Sequence, residues 1–374
     1  MKLLKVLTVM LLSTSIASAA NLDGVYVGTL GKTGIALKLE TDKNSLVTGS
    51  YYYRNHAVDI RLEGKVSKSV VNLSEFESDR RGVTAKLSLK SAGNTFTGNW
   101  TSVKQPKKPL AIRLHRVNAK DLSSIKLPST TLLNKWKLEH PFDYLRFDTP
   151  AKLVRSETVN GKKVQWWLEP KSKIEFLRLP SESKTVNDVL IDAHYNTAIA
   201  DLECLSSGNG EYSFTPKVML YSKRILSVSA SVYYYCGGAH PDNGAENLNL
   251  DLSTGKDLQI EDVYRFVPIP EGLKIDPSDY SEAYGKYQET RGAAIKKLLL
   301  TEFGTFTKAL GTDVDKECSS LYDDESFSYF SWYLTSRGVV IQSDFPHVAA
   351  ACESEFELPY ASLTQYLSPN SPLK

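Results

Sequence analysis

The 374-residue sequence is short of several things, and each shortage removes a class of protein. It has no excess of one charge: 45 Lys and Arg face 43 Asp and Glu, so no global positive field marks it for a nucleic-acid backbone. After the first twenty residues no run is apolar and long enough for a membrane span of about 20 residues. The six histidines are scattered and the four cysteines form no Cys-x-x-Cys pair, which argues against a zinc site. Gly-x-Ser-x-Gly and His-Glu-x-x-His are both absent, as is a metal-dependent deacetylase signature. Gly31-Lys32-Thr33 mimics the end of a phosphate loop, but Tyr26 stands where its first glycine belongs. Paired glycosidase carboxylates are a matter of three-dimensional spacing and leave no signature; Glu261-Asp262 reads as a solvated loop. The expectation is a protein that is not an enzyme and carries no cofactor and no metal. With 41% hydrophobic and 24% charged residues it is an ordinary globular chain, long enough for two or three domains.

The N-terminus has the order of a secretory signal peptide over residues 1–20: Lys2 and Lys5, an apolar run from Val6 to Leu12, then Ala17-Ser18-Ala19. Cleavage is expected after Ala19 or Ala20. Removing Lys2 and Lys5 leaves 43 charges of each sign. No cysteine follows the cut to take a lipid, so the expected location is the periplasm or the exterior. Cys204, Cys236, Cys318 and Cys352 agree with export, because an even count in an oxidising compartment favours disulfides. Of three pairings, Cys204 with Cys236 and Cys318 with Cys352 is preferred. Each closes one supersecondary unit and contributes roughly 3 to 4 kcal/mol in the chain-entropy model.

Residues 21–116 read as short strands separated by Gly and Asn turns: Val25 to Val27, Ile35 to Leu39, Gly49 to Tyr53, Ile60 with Leu62, Ala85 to Leu89, Phe96 to Trp100 and Leu110 to Leu114. A glycine followed by an aromatic recurs in Gly24-Val25-Tyr26, Gly49-Ser50-Tyr51 and Gly98-Asn99-Trp100, as suits an antiparallel meander or small barrel. The aromatics read as core, except that Tyr52, between two tyrosines on a strand, is expected to reach the surface. Residues 117–135 lose the period and read as a linker. In 136–374, strands are expected at Lys163 to Leu168, Ile174 to Leu179, Phe214 to Ser222 and Ile225 to Tyr235. A hairpin is expected from Phe327 to Ser343, turning at Ser336-Arg337-Gly338. Val186, Val189, Leu190 and Ala193 have helical spacing, with Thr185 as the cap and His194 at the edge of the stripe as a surface or boundary histidine. A second helix runs from about Ser281 to Leu300. Strands and helices segregate, so the class is α+β.

The segment Tyr233-Tyr234-Tyr235-Cys236-Gly237-Gly238-Ala239-His240-Pro241-Asp242 stands apart. The glycine pair permits a sharp turn and Pro241 stiffens its exit, giving a disulfide-pinned loop that presents His240 and Asp242. It reads either as a constrained turn or as a recognition loop on a rigid strand.

Cys-Gly-Gly-Ala-His-Pro, the stretch that follows from Leu248 to Lys256, and Gln259 to Tyr264 resemble the exported domain of unknown function in the ectodomain of the lysozyme-sensing anti-sigma factor RsiV. The likeness continues through Leu334 to Gln342, Asp344 to Val348, Leu358-Pro359-Tyr360 and Leu363 to Leu367, so it covers residues 165 to 370 or so. The resemblance implies an α+β domain that binds lysozyme and blocks its cleft; other members accompany a cell-wall deacetylase domain. RsiV's cytoplasmic segment and transmembrane helix are replaced here by the signal peptide and the β domain, which speaks against an anti-sigma role. Only Gly237, Gly238, Ala239, His240, Pro241 and Asp242 are carried over as a candidate loop.

The leading expectation is a periplasmic protein that recognises a lysozyme-type muramidase, inhibiting it or giving immunity against a wall-degrading toxin. Lysozymes are usually cationic, so acidic loops suit them, and Asp323, Asp324 and Glu325 join the candidate loop. A second reading is a peptidoglycan or glycan-binding envelope module with Tyr52, Trp166 or Trp167 stacking on sugars. A third is an unrecognised hydrolase built around His240 and Asp242.

Overall fold

The computed structural model describes residues 22–76, 82–276, 281–306, 308, 318, 321–322, 326–345 and 347–374. The expected signal peptide and the Asp323-Asp324-Glu325 run lie outside the described residues. By their contacts the described residues divide into two units: one holds residues 22–51, 61–76 and 82–117, the other 52–60 and the described residues from 118 onward.

The first unit is built on a closed antiparallel barrel of β1 (Gly24–Leu30), β2 (Thr33–Thr41), β3 (Leu46–Tyr53), β4 (Ile60–Ser67), β5 (Val70–Phe76), β6 (Val83–Ala92), β7 (Thr95–Ser102) and β8 (Leu110–Arg116), which returns to pair with β1. Period-two patterning fills its interior: in β6, Ala85, Leu87 and Leu89 are buried while Lys86, Ser88 and Lys90 are exposed. Eight strands enclose a space that side chains can fill, here including Tyr26, Leu37, Tyr51, Leu73 and Phe96. The recurring glycines have a steric cause. A Cβ on Gly49 would stand 2.1 Å from the Lys38 carbonyl oxygen, and one on Gly98 would stand 2.0 Å from that of Ser88. Adjacent strands pass too closely there for any side chain. Two of the associated aromatics satisfy a buried carboxylate: Tyr51 Oη donates to Glu75 at 2.6 Å and Trp100 Nε1 donates to it at 2.7 Å.

The second unit is α+β. Helices α1 (Ala119–Ser123), α2 (Thr131–Glu139) and α3 (Pro141–Tyr144) come first, so the stretch 117–135 that reads as a linker carries α1 and the start of α2. Asn118 and Thr130 cap these two helices by accepting from backbone N–H groups. A sheet of β9 (Lys152–Val159), β10 (Lys162–Leu168) and β11 (Glu175–Arg178), in the order β11-β10-β9, leads into α4 (Lys184–Leu205). Ser183, rather than Thr185, is the N-cap, accepting from the Val186 N–H. The next sheet holds β12 (Glu211–Tyr221), β13 (Ile225–Tyr235), β14 (Asp242–Asp251) and β15 (Lys256–Asp257). After α5 (Ile260–Val263) and α6 (Glu282–Phe303), a third sheet forms from β16 (Phe330–Leu334), β17 (Gly338–Ser343) and β18 (Glu355–Pro359), followed by α7 (Tyr360–Leu363).

Strand alternation sorts this unit into two cores. Leu226, Val228 and Leu250 enter one with Val186 and Leu190 of α4. Ile225 enters the other with Ile295 and Leu299 of α6 and with Trp332, Ile341 and Phe356 of the third sheet. A buried polar network ties β16 to the middle sheet. Ser227 Oγ donates to Asn249 Oδ1 at 2.5 Å, Asn249 Nδ2 donates to the Trp332 carbonyl at 3.0 Å, and Leu334 N donates to Ser227 Oγ at 2.9 Å. Every member has a partner, as a buried network requires if it is to fix one arrangement. Both preferred disulfides are present, Cys204–Cys236 and Cys318–Cys352.

Three sequence expectations are corrected here. Tyr52 is fully buried, its hydroxyl donating to the Phe142 carbonyl at 2.8 Å and its ring lying under the Arg146 guanidinium. His194 is no surface residue: it is fully buried, with Nε2 2.9 Å from the Ile174 carbonyl oxygen and Arg178 beside Nδ1. Burial, reinforced by the Arg178 charge, pushes its pKa down to about 3, so the ring is neutral. Trp166 is buried, with Nε1 donating to Glu157 at 2.8 Å, whereas Trp167 is half-buried beyond a register shift in β10.

Candidate functional site

The Cys-Gly-Gly-Ala-His-Pro segment is the tip of the β13–β14 hairpin. Gly237 and Gly238 turn it with φ of 86° and 120°, a region that other residues enter only under strain. Cys236 anchors the tip to Cys204 in the last turn of α4. The Tyr235 hydroxyl adds a bond to the Gly238 carbonyl at 3.2 Å. Gly237 to Pro241 are all exposed, and the Nδ1 of His240 lies 3.1 Å from the carbonyl oxygen of its neighbour Pro241. The loop is therefore pinned and presented to solvent.

Asp242 is placed differently. At the first position of β14 it accepts from the Tyr234 hydroxyl at 3.2 Å and from the Asn243 N–H at 2.9 Å. It opens onto a cleft of about 370 Å³ where Glu246, Asp344 and Glu353 also stand. Partial desolvation, then the charge of Asp242, raises the pKa of Asp344. Desolvation also raises that of Glu353 and outweighs a lowering bond from the Phe345 N–H, with smaller additions from Asp344 and Asp242. Asp344 and Glu353 therefore resist ionising, and a cation placed beside them would relieve that resistance. Exposed Tyr233 and Tyr234 stand on the same hairpin.

Asp344 also borders a second cleft of about 490 Å³ between α5, α6 and β16. Its wall holds Glu261, which is neither solvated nor on a loop: it is 6% exposed and accepts from Arg291 Nη1 at 2.6 Å and from Tyr287 Oη at 3.2 Å. Arg291, itself 7% exposed, spends Nη2 on the Ser328 carbonyl and lies over the Phe330 ring. Tyr284, Tyr329 and Trp332 complete the aromatic part of the wall.

The structure thus gathers Asp242 with three acids that sequence spacing does not single out, and leaves His240 on the exposed tip. Among the described residues no group of three or more His, Cys, Asp or Glu side chains is placed to hold a metal ion, and no helix is long and apolar enough to cross a membrane.

No family model and no curated protein matches the chain. Solved structures do. A DUF3298 family member from Bacteroides fragilis aligns over 59% of this chain and 93% of its own, at 14% identity and a TM-score of 0.34. A DUF3298 family protein from Pseudomonas aeruginosa aligns over 53% and 84%, at 21% identity and a TM-score of 0.33.

Proposed function

We propose that the protein is an exported binding protein that recognises a cationic, lysozyme-type muramidase and either inhibits it or protects the cell from it, as an immunity protein would. The observation that supports this most is the carboxylate cluster of Asp242, Glu246, Asp344 and Glu353 in an open cleft beside a pinned, tyrosine-bearing hairpin. Asp344 and Glu353, whose ionisation is opposed by burial and by neighbouring carboxylates, give up that cost when a Lys or Arg side chain enters, which favours a basic partner and steers its approach. Tyr233 and Tyr234 offer the amphipathic rings that protein interfaces favour. The two disulfides suit an oxidising compartment such as the periplasm.

Asp242→Lys and Asp344→Lys test the reading. Each is expected to weaken muramidase binding by at least about tenfold at low salt, the scale of one close charge pair. Unchanged affinity in both would contradict it. His240→Ala at the exposed tip should weaken binding without moving the melting temperature.

A further inference from the structure

The cleft between α5, α6 and β16 combines features that the muramidase reading does not use. Its volume, about 490 Å³, lies in the range of small-ligand sites. Tyr329 stands on the rim at 63% exposure, and Tyr284 and Trp332 line the interior. Arg291 also lines it, 93% buried, its guanidinium held by Glu261 and the Ser328 carbonyl. Gly285 of α6 borders the same space. A glycine inside a helix is unfavourable, yet a Cβ there would meet nothing within 4 Å. Gly292 of the same helix differs, because a Cβ there would come 2.7 Å from the Phe327 backbone. Packing thus accounts for Gly292, whereas at Gly285 the missing side chain leaves the cleft open.

The charge of the site selects the ligand class. Arg291 is neutralised by Glu261, and Asp344 adds a further carboxylate, so phosphates and carboxylates are disfavoured. Aromatic faces next to carboxylate and amide groups, among them Gln259 and Gln288, suit a ring with an apolar C–H face and a hydroxyl edge. We propose that this cleft binds a neutral glycan segment of one or two sugar residues, with a sugar face against Tyr329 and its hydroxyl edge toward Gln259 and Gln288. The proposal does not rest on muramidase recognition.

The test is calorimetric titration of the exported chain, residues 20–374, with the tetramer of N-acetylglucosamine and, in a separate arm, with a hen-type lysozyme. Saturable binding of the tetramer is expected, lost by about tenfold or more in Gly285→Trp, which fills the cleft from a position with free space, and by several-fold in Tyr329→Ala. Gly285→Ala should keep binding and raise the melting temperature, separating blockage from misfolding. No saturable binding, or binding indifferent to Gly285→Trp, overturns the proposal. Loss of lysozyme binding in Gly285→Trp without any glycan binding overturns it too, and assigns the cleft to the protein partner. Glycan binding without lysozyme binding leaves it standing and removes the muramidase reading instead.

Discussion

Asp201, in α4 one turn before the disulfide at Cys204, is 3% exposed, and its Oδ2 has no hydrogen-bond partner among the described residues. Burial, with a smaller push from Glu169, raises its pKa from 3.8 to about 7. Glu169 is itself fully buried and accepts from the Lys171 and Ser172 N–H groups at 2.9 and 2.6 Å. The sign follows from linkage. An acid whose folded pKa lies above its unfolded value keeps its proton in the native state after the unfolded chain has lost it, so stability falls as pH rises between the two values. Across the window from about pH 4 to pH 7, at roughly 1.4 kcal/mol per pH unit, Asp201 accounts for up to about 4 kcal/mol of destabilisation, all present above pH 7. Asp201→Asn has no charge to bury. Relative to the wild type it should be close to neutral at pH 4 and more stable by about 2–4 kcal/mol at pH 8. Urea denaturation of both proteins at the two pH values measures this directly, since groups common to both cancel in the difference. A difference that does not change between pH 4 and pH 8 would refute the assignment of Asp201 as a buried, destabilised carboxyl.

Gly98→Ala drives a Cβ to within 2.0 Å of the Ser88 carbonyl oxygen and should destabilise the barrel by about 1–3 kcal/mol in thermal melts, as overpacking does; an unchanged melt would contradict the close strand approach. Replacing Cys204 and Cys236 together by serine should cost about 3 kcal/mol and speed proteolysis at the 237–241 tip. Asn249→Ala removes the bridge between Ser227 and Trp332, leaving a buried carbonyl and hydroxyl to find new partners, and should cost about 3 kcal/mol by denaturant titration.

Elements with strong periodicity were readable from sequence. The helical stripe at Val186, Val189, Leu190 and Ala193 falls in α4, the strand from Ile225 to Tyr235 coincides with β13, and the preferred disulfide pairing is the one present. Two missed strands lacked the pattern: β9 is exposed over nearly its whole length, and β14 opens with Asp242-Asn243-Gly244 and gains buried positions only at its far end. Tyr52 misled because alternation assigns a residue to a face but cannot say that the face is covered. The site was legible only as a loop. Asp242 meets Asp344 and Glu353 because β16, the partner of β17, is held against the middle sheet by Ser227 and Asn249, a relation with no local spacing. Glu261 looked like one of two solvated acids because the arginine that buries it comes 30 residues later.

The central claim, that the acidic cleft and hairpin recognise a cationic muramidase, is tested most directly by titrating residues 20–374 with a panel of lysozymes alongside a wall-lysis assay. The account predicts saturable binding that weakens as salt or acidity rises, because both screen or neutralise the carboxylates, together with loss of lysis. Absence of binding to every muramidase at low salt and neutral pH would contradict it.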